Sequence, residues 1–130
     1  MMADFDPVGF NQLAEELLSN LTGAPVEESG PDQARIRTAI GRSYYAAFLV
    51  ARQSLLAQGD TRPTRGLHHH RLVVDALGGE NSDLGSKMYR LRPRRNRADY
   101  NLNPSSYTLQ AGQYWLGIAS EIIAEADRLP

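Results

Sequence analysis

The chain has no cysteine among its 130 residues, so disulfides and thiolate metal sites are excluded and a cytoplasmic location is expected. No apolar run approaches the ~20 residues of a membrane span. The opening MMADFDPVGF lacks the basic start and apolar core of a secretory signal. There is no HExxH spacing, no P-loop, no glycine-rich dinucleotide motif and no paired-carboxylate site, so neither a metal nor a cofactor is expected. Strand-like alternation is missing too, and the periodicity is helical throughout.

Basic residues are lacking from the first 32 positions, which carry seven acids and no Lys or Arg. Residues 33–101 reverse this, holding thirteen of the fourteen basic residues against five acids. A basic middle inside a chain of net charge −1 suggests a local anionic partner. The alternative is an acidic N-terminal segment that packs over the basic region and neutralises it.

What is present is a set of amphipathic stripes within one domain, 1–130. Asp6-Pro7 reads as a helix start, followed by an apolar face of Phe10, Leu13, Leu17, Leu18 and Leu21. A long second helix from about Pro31 to Gln58 carries Ile36, Ile40, Tyr44, Ala47, Phe48, Ala51 and Leu55, with Gly41 kept thin for a close neighbour. A short helix spans about 68–77. The next, capped by Ser82 or Asp83, turns Leu84, Met88 and Leu91 inward until Pro93, where a kink or restart is expected. A last helix is capped by Ser105 or Ser106 and buries Leu109, Leu116, Ala119, Ile122, Ile123 and Ala126. The expected product is an all-α, up-and-down bundle of four to five helices.

The densest chemistry lies in RLRPRRNRADYN, residues 90–101, with five arginines in eight positions. At helical spacing Lys87, Arg90, Arg94 and Arg97 line one face, and Arg92, Asn96 and Tyr100 another. Arg95 stands one turn before Asp99 and can pair with it, for about 0.3–0.5 kcal/mol on an exposed surface. A solvated basic helix with one ordinary ion pair is the plain alternative.

Three segments together resemble the HEPN domain superfamily, in particular its small single-domain prokaryotic members: Tyr44-Tyr45-Ala46-Ala47-Phe48, then His70-x-x-Val73-Val74-x-x-Leu77, then Arg95-Asn96-Arg97-Ala98-Asp99-Tyr100. The resemblance covers about residues 8–128. It implies a homodimer that cuts RNA without a metal, as toxin or effector of a toxin–antitoxin or phage-defence module, with a small nucleotidyltransferase antitoxin as partner. Arg95 and Asn96 match the first two positions of the family's catalytic signature, but its histidine is replaced by Tyr100. In that reading Arg95 clamps phosphate, Asn96 orients the site, Asp99 holds Arg95, and Lys87, Arg90, Arg92, Arg94 and Arg97 bind RNA phosphates.

The replacement matters because the ribose 2′-OH must lose a proton, and tyrosine, titrating near 10, is about three units too weak an acid to act as base at neutral pH. Tyr100 either substitutes in a modified nuclease, marks a non-catalytic module that binds RNA, nucleotide or a partner protein, or is a packing residue. His68, His69 and His70 point about 100° apart on a helix and cannot share one ion; the expected role is structural, a helix start with His70 packing or capping, and the alternative is that one of them reaches the basic site as a surrogate base. Tyr44, Tyr45 and Phe48 read as core, and Tyr114 and Trp115 as core or dimer interface.

Overall fold

The computed structural model describes residues 6–21, 31–60, 69–100 and 107–129, with the side chains of His69, Asp99 and Tyr100 outside the described residues. His68, Ser105 and Ser106 likewise lie outside them. Five helices make up the described chain: α1 (Val8–Ser19), α2 (Pro31–Ala57), α3 (His69–Glu80), α4 (Ser82–Tyr100) and α5 (Leu109–Ala126). No strand occurs among the described residues, and no described helix is long and apolar enough to cross a membrane.

The bundle is organised around α2, which packs against all four other helices. Its stripe of Ile36, Ile40, Tyr44, Ala47, Ala51 and Leu55 is buried along the whole length. Leu84, Met88 and Leu91 of α4 and Ile122 of α5 are wholly buried against it, each contributing roughly 1.5–3 kcal/mol.

α1 departs from the apolar face read from its letters. Asn11, Ala14 and Leu18 face inward while Leu13 is exposed. Asn11 is tolerated there because its amide donates to the Ser120 hydroxyl at 3.2 Å. The helix ends also differ from expectation. The Asp6 carboxylate accepts from the Val8 amide at 3.0 Å, as expected, but α4 is capped by Asn81, whose Oδ1 accepts from the amides of Asp83 and Leu84. Thr108, not Ser105 or Ser106, caps α5 by accepting from the Ala111 amide at 3.1 Å.

Pro93 neither breaks nor restarts α4, which continues to Tyr100. The proline removes the amide that would have bonded the Tyr89 carbonyl and crowds that carbonyl with its ring, effects that together cost ~3 kcal/mol in a helix interior. Tyr89 and Pro93 both sit on the exposed side, where water can serve that carbonyl, and Leu91 anchors the opposite side in the core.

α3 and α4 form a tight pair for a local reason. A β-carbon at position 85 would lie 2.7 Å from the Gly78 α-carbon and 2.8 Å from its amide nitrogen, so only glycine allows the two backbones to touch there. The pair is thus closed at the Gly78–Gly85 end. Toward His70 on one helix and Asn96 on the other it leaves a cavity.

Candidate functional site

That cavity, about 450 Å³, is lined by His70, Arg71, Val74 and Asp75 from α3 and by Tyr89, Arg92, Pro93 and Asn96 from α4. Its size suits a small ligand or one unit of a polymer. Val73 and Leu77 are buried in the core, and His70, three and seven residues before them, is carried inward on the same side of α3.

His70 is then held by α2. Its Nδ1 lies 2.8 Å from the Tyr44 hydroxyl, and its ring stacks on Phe48 at 6.2 Å between centroids and 16° between planes. Burial pushes the Tyr44 hydroxyl up to about 12, against the opposing pull of Arg95 and Arg92, so it stays protonated and can either donate or accept. When Nδ1–H donates to the Tyr44 oxygen, Nε2 keeps its lone pair as a base.

The imidazole is neutral at physiological pH. Burial, then the positive fields of Arg92 and Arg95, lower its pKa from 6.5 to about 4. An anion placed between Arg92 and His70 would cancel part of that field and make the ring more basic. The cavity thus couples anion binding to imidazole basicity.

Arg95, expected at the centre of the phosphate site, does not line the cavity. Its guanidinium carbon stands 5.1 Å from the Tyr44 ring centroid and 5.5 Å from that of Tyr45, and its stem lies 4.0 Å from the place a β-carbon would take at Gly41. It acts from behind, through its charge on His70 and Tyr44. Arg92 and Asn96, one helical turn apart, are the polar residues that line the cavity from α4 together with Tyr89. Arg90, Arg94 and Arg97 fall on another side of α4, around a second cavity. Tyr100 continues α4 one turn beyond Asn96, but its side chain and that of Asp99 lie outside the described residues.

Lys87 leaves the row of cations that its spacing suggested. Its Nζ lies 2.7 Å from Glu125, 3.0 Å from Asp83 and 3.2 Å from Glu121, with the side chain only 12% exposed. Hydrogen bonds to Glu125 and Asp83 hold its ammonium well above the ordinary lysine range. The charge is committed inside the protein, not to a phosphate.

Among the described residues no group of histidines and carboxylates is placed to hold a metal ion. Composition and spacing had not singled out Tyr44 as part of the site; the signal was its place in the same sequence pattern as Phe48, which reads as plain core. Tyr114 is not in the core but exposed beside Trp115. Compared with protein-family models, curated proteins and solved structures, the chain finds no match.

Proposed function

We propose that the protein is a HEPN-like, metal-independent endoribonuclease whose centre is the His70–Arg92–Asn96 cavity. The observation that carries this reading is convergence: segments around residues 44, 70 and 96 bring a neutral imidazole, an amide and a guanidinium to one opening. In the reaction the ribose 2′-oxygen attacks the adjacent phosphorus while His70 Nε2 takes its proton. The 2′-O–P bond forms, the P–O5′ bond breaks, and the proton returns to the departing 5′ oxygen. Arg92 compensates the charge that builds on the phosphorane, and Asn96 fixes the phosphate by hydrogen bonding. His70 takes the place that sequence reading had given to Tyr100, because tyrosine is too weak an acid to serve at neutral pH without a large downward shift.

The depressed pKa of His70 supports a second reading, in which the same cavity grips RNA, a nucleotide or an anionic partner without cutting it.

Cleavage of a mixed RNA pool in EDTA separates the two. The nuclease reading expects cutting that survives EDTA and falls by roughly 10²–10⁴ in His70→Ala, while Tyr100→Phe still cuts. Wild-type protein that binds the pool but leaves it intact establishes the binding module instead.

A further inference from the structure

On the other side of Pro93 lies a second cavity of about 430 Å³, lined by Tyr89, Arg90, Arg94, Arg97, Tyr114 and Trp115. Among the described residues its lining holds three guanidinium groups and no carboxylate. Two of its rings are conspicuously in water, Tyr89 at 68% and Tyr114 at 53% exposure. A ring so exposed adds little to the stability of the fold that carries it.

The third ring is built into a platform. The Arg94 guanidinium carbon lies 4.9 Å from the Trp115 centroid, so the cation rests on one face of the indole. Tyr114 meets the same indole edge-on, with centroids 4.9 Å apart and planes at 87°. A guanidinium held over an indole is a cationic aromatic surface on which a nucleobase can lie. The two exposed tyrosines offer further flat faces, and Arg90 and Arg97 supply charge at the rim.

Tyr89 and Pro93 line both cavities, so one ridge of α4 separates them. A strand could cross that ridge without leaving the basic surface. An acidic protein segment would satisfy the arginines, but it would leave three flat aromatic or guanidinium surfaces without matching planar groups.

The geometry points to this groove as a stacking subsite for single-stranded RNA. Bases lie on Tyr89, Tyr114 and the Arg94–Trp115 pair, and Arg90 and Arg97 hold the flanking phosphates. That stacking role stands on the groove's own residues. Only the further statement, that the same strand presents its scissile phosphate to His70, rests on the function proposed above.

The test is fluorescence anisotropy with the full chain, using a labelled short oligouridylate and an abasic ribose-phosphate strand of equal length. Tyr89→Ala and Tyr114→Ala remove exposed groups, and thermal melting checks that both variants remain folded. Each should weaken oligouridylate binding roughly tenfold while scarcely changing binding of the abasic strand. Arg97→Ala should weaken both strands. Wild-type affinity in both tyrosine variants overturns the assignment, as does equal wild-type affinity for the two strands. Unchanged RNA affinity with an altered sedimentation coefficient also overturns it, and makes the groove a protein contact. Failure of the His70 reading is seen separately, as undiminished cutting by His70→Ala, and leaves these affinities where they are.

Discussion

The Tyr44 hydroxyl and His70 Nδ1 stand 2.8 Å apart, which joins the most buried aromatic of α2 to the only described histidine side chain that faces the α4 cavity. One ring nitrogen is thereby engaged by Tyr44. Tyr44→Phe keeps the ring against Phe48 and Arg95 but deletes that bond. We expect a stability loss of about 1 kcal/mol, read by urea denaturation, and a larger proportional loss of RNA cutting than of RNA affinity.

His70 also gives the fold an acid sensitivity of definite sign. The unfolded chain takes up a proton near the ordinary 6.5, whereas the native imidazole resists until about 4. Stability linked to the neutral ring is therefore present above 6.5 and is lost as pH falls from there toward 4. Proton NMR should place the His70 midpoint near 4, and inorganic phosphate should raise it. Urea midpoints should drop more between pH 7 and pH 5 for wild type than for His70→Gln. A midpoint at the ordinary histidine value would contradict both expectations.

On the proposed function, binding of RNA should weaken with salt in a way that counts the contacts. For a single strand, log affinity falls with log salt by about 0.7 per phosphate neutralised. Arg92→Ala should flatten the slope by roughly that amount, whereas Lys87→Met should leave it unchanged because that ammonium is already surrounded by carboxylates. Titrations at several salt concentrations provide the comparison.

Lys87→Met should instead register in stability. It keeps the aliphatic stem and leaves Asp83, Glu121 and Glu125 facing one another without a cation. The melting temperature should fall, and adding Glu121→Gln should recover part of the loss. Purely additive effects in that double-mutant cycle would mean the charges do not interact.

Two glycines of the α3–α4 pair should respond with opposite signs. Gly85→Ala drives a β-carbon into the Gly78 backbone and should destabilise by roughly 1–3 kcal/mol. Gly79→Ala meets nothing within 4 Å and should stabilise α3 by roughly 0.5–1 kcal/mol. Thermal melts of the two variants check this directly.

The helices and most of the core were legible because helical periodicity is local: Leu84, Met88 and Leu91 announce their side of α4 by spacing alone. α1 was misread where polar Asn11 shares the inner side and apolar Leu13 does not, a choice settled by Ser120 on a distant helix. Capping by Asn81 over its neighbours depended on a one-residue difference in chain direction. The site was harder. Helical spacing separates Arg92 and Asn96 from the row of Arg90, Arg94 and Arg97. Which of these borders the His70 cavity depends on the rotation of α4 about its axis, so Arg95 was placed at the phosphate instead of Arg92. Three adjacent histidines pose the same problem, although the i, i+3, i+7 relation of His70, Val73 and Leu77 contained the answer.

The carboxylate cage of Lys87 has a directional effect on an approaching polyanion. The cage gathers three negative charges around one positive charge near the start of α4, while five arginines crowd its later turns. The helix therefore presents a gradient, repelling at one end and attracting at the other, with the cations placed toward the end where peptide dipoles leave partial negative charge. A polyanion meeting this surface, as the proposed function requires of RNA, would be turned before it touches. Its path is biased toward residues 90–97 and away from 83–87, so the encounter favours the stretch of helix that borders both cavities.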